Sequence, residues 1–318
     1  MIYGGRSKFG RRMIAVALLL AAGNLLIAKE GQGAEPKGSQ DTAPITQGQR
    51  IFTCGHSFHN FIYPLLTEMA RSTGIPDHTP VGRSGIGGSR VIQHWNVPDE
   101  KNEAKAALRA GKVDVLTLSP IWLPEEGIEK FAKLAYEHNP NVRVTVQEFW
   151  LPNDTYEPIY PLDTRKKVDH NATNLAELKK HNAAYCHDIE AYVGSVNKQL
   201  GKDVVLVVPV GEASIALREK LVAGEAPGLK AQWDLFRDNW GHAKAPLQVL
   251  SAYCHFAVIY RRSPVGLPVP SALAKDDSLP EKDKEPLNHL LQEIAWNTVR
   301  HHPMTGVTAE PAASKPKP

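Results

Sequence analysis

The sequence is poor in cysteine. Only Cys54, Cys186 and Cys254 occur among its 318 residues, and none belongs to a Cys-x-x-Cys pair. The absence of such pairs argues against a zinc ribbon or a thioredoxin-type redox motif. An odd count leaves at least one thiol unpaired or bridged to another chain, and we expect Cys54 and Cys254 to be packed in the core.

The sequence also lacks a basic excess once its first 34 residues are set aside. Residues 1–34 carry four basic residues near the start, then an apolar run from Met13 to Ile27, then small residues ending at Ala34. This pattern predicts a secretory signal peptide, with an uncleaved membrane anchor as the alternative. Removing it takes away five basic residues and one acidic residue, so the formal net charge falls from +3 to −1. We therefore expect an exported protein, periplasmic or secreted, with no nucleic-acid partner and no stable membrane span.

Motifs for phosphate and metal binding are missing. The glycine-rich stretch 81–90 is not followed by Gly-Lys-Ser, and no His-Glu-x-x-His occurs. The first absence argues against a phosphate loop. A metal site built from His56 and His59 with His94 or His170 stays open as an alternative, without support from spacing. The pair Asp169-His170 is interpreted as an ordinary loop pair.

Apolar runs and helical patterns alternate along the chain, which predicts a parallel sheet with helices on both faces. Strands are predicted at 49–54, 113–118, 143–149 and 204–208. Helices are predicted from about residue 63, and at 102–110, 125–138, 174–200, 212–222, 246–260 and 287–300. The connecting segments are predicted to be a linker at 35–48, a long loop at 152–173, a charged linker at 271–284 and a disordered tail at 306–318.

A serine lies where the first strand gives way to the first helix. The apolar run ends at Gly55, Ser57 follows, and helical spacing begins at Ile62. Open α/β sheets bind their ligands at the carboxyl ends of the strands, which is where this hydroxyl is placed.

Two segments resemble motifs of the SGNH/GDSL hydrolases. Gly55-His56-Ser57-Phe58 is similar to the turn that carries the family's nucleophile, and the segment from Asp238 to His242 is similar to its Asp-x-x-His segment. The resemblance implies a three-layer flavodoxin-like fold with strand order 2-1-3-4-5 over residues 49–270, followed by a linker and packing helix at 271–305. It also implies Ser57 as nucleophile, His242 as base and Asp238 as the residue that orients His242. The backbone N–H groups of Ser57 and of Gly88 or Gly87 would bind the oxyanion, and no cofactor or metal is implied.

Three departures from the family pattern stand out. His56 replaces the usual Asp or Asn, and the Asp-x-x-x-His spacing is one residue longer. The segment from Thr117 to Trp122 lacks the asparagine that donates to the oxyanion in this family. Gln147 or Asn153 is a candidate substitute for that donor.

The remaining candidate residues are aromatic or polar side chains near the strand ends. Candidate substrate contacts are His56, His59, Trp122, Gln147 and Asn153. The tryptophans Trp95, Trp122 and Trp150 could form an aromatic platform for sugar rings or pack in the core.

These observations favour an exported serine esterase acting on acetylated polysaccharide or another small ester. A non-catalytic module that binds a glycan or a protein is the main alternative, supported by the missing asparagine. A histidine-ligated metal hydrolase is the third.

Overall fold

The computed structural model of the protein describes residues 43–157 and 167–307. The predicted signal peptide at 1–34, the first part of the 35–48 linker, the middle of the long loop and the tail from 308 lie outside the described residues.

Five strands and nine α-helices occur within the described ranges. The strands are β1 (Arg50–Gly55), β2 (Thr79–Gly85), β3 (Val115–Leu118), β4 (Arg143–Gln147) and β5 (Val205–Val208). The helices are α1 (Ile62–Ser72), α2 (Val91–Trp95), α3 (Glu103–Arg109), α4 (Glu126–His138), α5 (Leu175–Leu200), α6 (Val210–Val222), α7 (Ala245–Tyr260), α8 (Ser271–Ala274) and α9 (Glu281–His301).

The strands form one parallel sheet in the order β2-β1-β3-β4-β5. All residues of β3 and β5 are buried. Near-continuous apolar runs of this kind are typical of strands covered by helices on both faces. The predicted fold class and strand order are therefore confirmed.

Strand β2 was not among the strands predicted from the apolar runs. It contains Pro80, Gly82 and Gly85, and all of its residues are exposed or half-buried. Proline and glycine are tolerated at a sheet edge, where only one side needs ladder hydrogen bonds. Its composition therefore predicts a loop, whereas pairing with β1 makes it a strand.

Helices cover the sheet in two groups. Helices α1, α6 and α9 each contact α7, and α6 also contacts α9, while α2 and α3 both contact α4. Helix α7 is buried at nearly every position, which explains its apolar sequence. All three cysteines are buried and free, as expected for Cys54 and Cys254.

The predicted charged linker at 271–284 is partly wrong. Helix α8 lies within it, and α9 already begins at Glu281. Glu281 and Asp283 occupy the first turn of α9, where acidic side chains interact favourably with the helix dipole. In the part of the chain that the structure describes, no helix is both long and apolar enough to cross a membrane.

Candidate active site

The turn after β1 places Ser57 at the carboxyl edge of the sheet. The N–H groups of His59 and Asn60 both donate to the carbonyl of His56, each at 2.9 Å, so the chain turns sharply around Ser57. A Cβ atom at Gly55 would come within 2.6 Å of the His59 ring. A side chain at position 55 would therefore collide with the turn, which explains the glycine.

A second loop brings His242 to Ser57 from 185 residues away. The Oγ of Ser57 lies 2.8 Å from Nε2 of His242. On the other side of the ring, Nδ1 of His242 lies 2.7 Å from Oδ2 of Asp238. The structure thus brings together the three residues predicted to form the catalytic set.

The loop that carries Asp238 and His242 accommodates the longer Asp-x-x-x-His spacing. Gly241 has a φ of +87°, and its N–H donates to the carbonyl of Asp238 at 3.0 Å. The Oδ1 of Asp238 accepts hydrogen bonds from the N–H groups of Trp240 and His242, at 3.1 and 3.2 Å. Glycine permits this left-handed conformation, so the extra residue is absorbed without separating the two side chains.

Asp238 is held in its ionised form. Partial burial alone would raise its pKa, but hydrogen bonds from the N–H groups and the ring of His242 bring the pKa below its ordinary value. An ionised carboxylate at Nδ1 keeps the proton there and leaves Nε2 to face the Ser57 hydroxyl.

Ser57 and His242 line a cavity of about 410 Å³. The wall is otherwise mostly apolar; the lining residues are His56, Ser57, Phe58, Gly87, Gly88, Ile121, Phe149, Pro152, Trp240 and His242. Both glycines predicted to supply oxyanion donors therefore border the same space as the hydroxyl. Gly88 has a φ of +60°, a conformation that favours glycine.

His56 lines the cavity in a neutral state. Burial, followed by the neighbouring His59, lowers the pKa of His56 to about 3. Its Nδ1 accepts the N–H of Phe58 at 3.3 Å, and its Nε2 lies 3.1 Å from Oγ of Ser119. Ser119, which follows β3, is buried and does not line the cavity.

Gln147, His59 and Asn153 do not reach the cavity. The amide of Gln147 is engaged by the rings of His59 and His255 at Oε1, each at 2.9 Å, and donates to the carbonyl of Phe58. Asn153 is buried, and its backbone N–H donates to Trp240. The prediction that Gln147 or Asn153 replaces the missing oxyanion donor is not supported, because the side chains at these positions face the interior.

The imidazoles do not converge on a metal site of the predicted kind. His94 is bonded to Ser84 and Ser89, His59 to Gln147 and Thr117, and His170 to Asp154. Within the described ranges, no set of ring nitrogens from these residues and His56 lies close enough to share one ion. The metal-hydrolase alternative is therefore wrong for this set.

Of the two roles considered for Trp95, Trp122 and Trp150, the structure supports packing and not an aromatic platform. Trp122 stacks on Phe149 and Trp150 on Phe58, and both tryptophans are buried. Trp95 packs edge-on against Phe131, away from the cavity. Trp240, which sequence reasoning did not single out, is the tryptophan that lines the cavity. Its position inside the Asp-to-His segment was the available signal.

A buried ionic network supports the loop of Asp238, and sequence reasoning missed it. Nε2 of His170 lies 3.0 Å from the carbonyl of Asp238, and Nδ1 lies 2.8 Å from Oδ2 of Asp154. Arg218 contacts both oxygens of Asp154, at 2.5 and 2.9 Å. Burial would raise the pKa of Asp154, but hydrogen bonds from His170 and Arg218 lower it to about 2. The interpretation of Asp169-His170 as an ordinary loop pair is wrong for His170, which fixes the backbone beside Asp238.

Comparison with known proteins finds similarity only among solved structures. No family model matches the chain, and no curated protein matches it. A putative GDSL-like lipase from Parabacteroides merdae matches with 13% identity over 67% of this chain and 97% of that chain, with a TM-score of 0.40. A carbohydrate esterase family 3 protein from Talaromyces cellulolyticus matches with 12% identity over 67% and 97%, with a TM-score of 0.38. The periplasmic domain of a lipopolysaccharide acetyltransferase from Salmonella ser. Paratyphi A matches with 12% identity over 70% and 84%, with a TM-score of 0.35. Similarities this low say nothing about the activity of this chain.

Proposed function

We propose that the protein is a serine ester hydrolase. The observation that carries this proposal is the continuous contact from Ser57 Oγ to His242 Nε2 and from His242 Nδ1 to Asp238, at 2.8 and 2.7 Å. A serine hydroxyl is a weak nucleophile until a base removes its proton, and this contact provides the base and the group that orients it.

The reaction proceeds in two halves. His242 takes the hydroxyl proton while Ser57 Oγ attacks the ester carbonyl, and the resulting tetrahedral intermediate collapses as His242 gives the proton to the departing alcohol. A water molecule then attacks the acyl group on Ser57 with His242 again acting as base, which releases the acid and restores the hydroxyl. Asp238 stays ionised and stabilises the imidazolium that forms in each half.

The backbone N–H groups of Ser57 and Gly88 are the proposed oxyanion donors, with Gly87 as the alternative to Gly88. A third donor at the position after β3 is lacking, because Ser119 is buried against His56. Loss of one such donor typically costs about 10²–10³ in rate. We therefore expect a slower enzyme than one with a complete oxyanion hole.

The substrate is proposed to be an uncharged ester. Apart from the two histidines, no ionisable side chain is among the described residues that line the cavity, so a carboxylate or phosphate beside the ester would be bound without a counter-ion. Acetyl esters on extracellular polysaccharide fit this description if the chain is exported. Trp240 provides an aromatic surface at the cavity for a sugar ring.

Export is part of this proposal. It is supported by the basic start and the apolar run from Met13 to Ile27. N-terminal sequencing of secreted material should find a chain that begins near Glu35. Recovery of an intact Met1 chain from the membrane would contradict export.

Labelling with a fluorophosphonate tests the serine directly. The wild-type protein should be labelled once per chain, and Ser57→Ala should not be labelled. Ser195→Ala is a matched control, since Ser195 is exposed on α5 and should leave labelling unchanged. Labelling of Ser57→Ala at the wild-type rate would show that another residue reacts.

A non-catalytic binding module is the second candidate, favoured by the absence of an asparagine after β3. It predicts that the wild-type protein resists fluorophosphonate and is inert towards a broad panel of esters. It also predicts that glycan or peptide binding at the cavity survives in Ser57→Ala.

A further inference from the structure

Glu148 is a buried acid that does not line the Ser57 cavity. It follows β4 directly, its side chain is fully buried, and neither carboxylate oxygen has an N–H or O–H partner. Its backbone is fixed on both sides, because its N–H donates to Val208 at 3.0 Å and its carbonyl accepts from Gly211 at 2.7 Å. A lone ionised carboxylate in a protein interior is costly, so this position calls for either a proton or a cation.

Two further ligand atoms lie beside this carboxylate. Nε2 of His302 is 3.8 Å from Oε2 of Glu148 and 3.0 Å from Oε1 of Glu190. One atom from each of the three residues lies within 4.8 Å of the others. Ligands bound to one Zn²⁺ at about 2.0–2.2 Å are about 3–4 Å apart, so small side-chain movements bring these atoms into range. Across 43–157 and 167–307, no other group of three or more acidic, histidine or cysteine residues meets this spacing.

Further acidic side chains lie near Glu148. Burial, followed by the neighbouring carboxylates of Glu190 and Glu212, holds the pKa of Glu148 well above its ordinary value. The Cys186 thiol also lies beside Glu148, but a thiol is a weak donor. Cys186 and Glu190 are one helical turn apart on α5, so both side chains are on the same face of that helix.

We propose that Glu148, Glu190 and His302 bind a divalent transition-metal ion of the Zn²⁺ type. An imidazole combined with carboxylates suits Zn²⁺ and its neighbours, whereas Mg²⁺ and Ca²⁺ prefer oxygen ligands alone. The side chain of Glu190 is 32% exposed, which opens the site to solvent from the side of α5.

Binding of the cation changes which atoms of His302 and Glu148 carry protons. The N–H of Met304 donates to Nδ1 of His302 at 3.3 Å, so Nε2 carries the ring proton when no cation is present and donates it to Glu190. The cation takes the place of that proton, the ring proton moves to Nδ1, and the long contact with Met304 is lost. Any proton on Glu148 leaves to solvent, and the imidazole stays neutral.

The proposed ion joins three distant parts of the chain. Its ligands come from the end of β4, from α5 and from the segment after α9. The segment after α9 also runs along the edge strand β5, where the N–H of Val207 donates to the carbonyl of Met304 at 2.9 Å. None of the three ligands lines the cavity at Ser57. The expected consequence is therefore stability of the C-terminal segment, and the inference does not depend on the proposed esterase activity.

The test uses the full chain after treatment with a chelator. Equilibrium dialysis against Zn²⁺ with elemental analysis should give one bound ion per chain. Zn²⁺ at about 100 times its Kd should raise Tm by about 5–10 °C. His302→Ala and Glu190→Ala should abolish the bound ion and the increase in Tm. His301→Ala, next to His302, and Glu137→Ala are matched controls at exposed positions. Both variants should keep the bound ion and the increase in Tm.

Three results would overturn the proposal. The first is wild-type protein that retains no Zn²⁺ after dialysis. The second is an unchanged increase in Tm in Glu190→Ala, which also serves as the test if His302→Ala does not fold. The third is an equal response to Mg²⁺ at the same concentration, which would contradict a site for a transition metal.

Discussion

Two of the clusters in which a histidine contacts a carboxylate, Asp238–His242 at the cavity and Glu148–Glu190–His302 at the end of β4, have different surroundings. At the cavity, Asp238 and His242 are partly exposed, with 44% and 25% of their side chains accessible. The ring of His242 contacts the hydroxyl of Ser57. At the end of β4, the side chains of Glu148 and His302 are almost completely buried. The first arrangement suits proton transfer to a substrate, because the imidazole can exchange its proton within the cavity. The second suits a bound ion, because a buried carboxylate needs a fixed positive partner.

The largest expected effect is the loss of kcat at the cavity, which the cluster at the end of β4 should not share. Ser57→Ala and His242→Ala should each lower kcat for hydrolysis of 4-nitrophenyl acetate by about 10⁴-fold or more. The double variant should be no slower than either one, since the two residues act as a unit. Glu190→Ala should remain within about twofold of wild type.

Additive losses in the double variant would show that Ser57 and His242 act separately. A loss of activity in Glu190→Ala as large as that in His242→Ala would remove the functional distinction between the clusters. Circular dichroism of each variant controls for folding.

Asp238→Ala should lower kcat less than either variant above, with a loss smaller by about 10²-fold. Asp238 orients the imidazole, but the hydroxyl and Nε2 remain in contact without it. Kinetics on the same ester, with exposed Asp277→Ala as the control, measure this. A loss equal to that of His242→Ala would mean that Asp238 does more than orient the ring.

The apolar wall of the cavity should favour a longer acyl chain. Each buried CH₂ contributes about 0.8 kcal/mol, so 4-nitrophenyl butyrate should exceed the acetate in kcat/KM by about tenfold. Ile121→Trp fills part of the wall and should abolish that preference, whereas Val222→Trp, on the exposed surface, should keep it. A wild-type preference for the acetate would show that the acyl group is bound elsewhere.

Ser119→Ala tests the position after β3, where the SGNH/GDSL hydrolases carry an asparagine. Because Ser119 is buried against His56 and does not line the cavity, we expect less than a tenfold loss in kcat. A loss above about 10²-fold would mean that Ser119 donates to the oxyanion during the reaction.

His56→Asn should have the smallest effect. With a pKa of about 3, lowered by burial, His56 is neutral at every pH above about 4 and does not contribute to an acid limb near neutrality. The pH profile of kcat/KM should therefore keep its acid limb, with a change in rate of less than about fivefold. A displaced limb would identify His56 as the residue that titrates.

Most of the fold could be predicted because its evidence is local. Buried strands such as β3 and β5 appear as apolar runs, and α5 and α7 begin and end close to the predicted residues. Strand β2 was not predicted because its glycines and proline predict a loop, and only pairing with β1 makes it a strand.

The candidate site was predictable in part. Ser57 is marked by a strand, a glycine and a helix that adjoin in sequence, and the resemblance pointed to His242 and Asp238. The direction of side chains at strand ends was not predictable, since successive residues face opposite sides of the sheet. Gln147 therefore entered the core when it had been expected near the oxyanion.

The sequence by itself determined the layered α/β architecture, the serine after β1 and the burial of Cys54 and Cys254. These follow from hydrophobic periodicity and turn residues, which act over a few neighbouring positions. Only the tertiary structure decided that His242 reaches Ser57, that His170 and Arg218 hold Asp154, and that Glu148 lies beside His302. These contacts join residues that are 16 to 185 positions apart in the sequence. They therefore depend on strand order and register, which no short stretch of sequence contains.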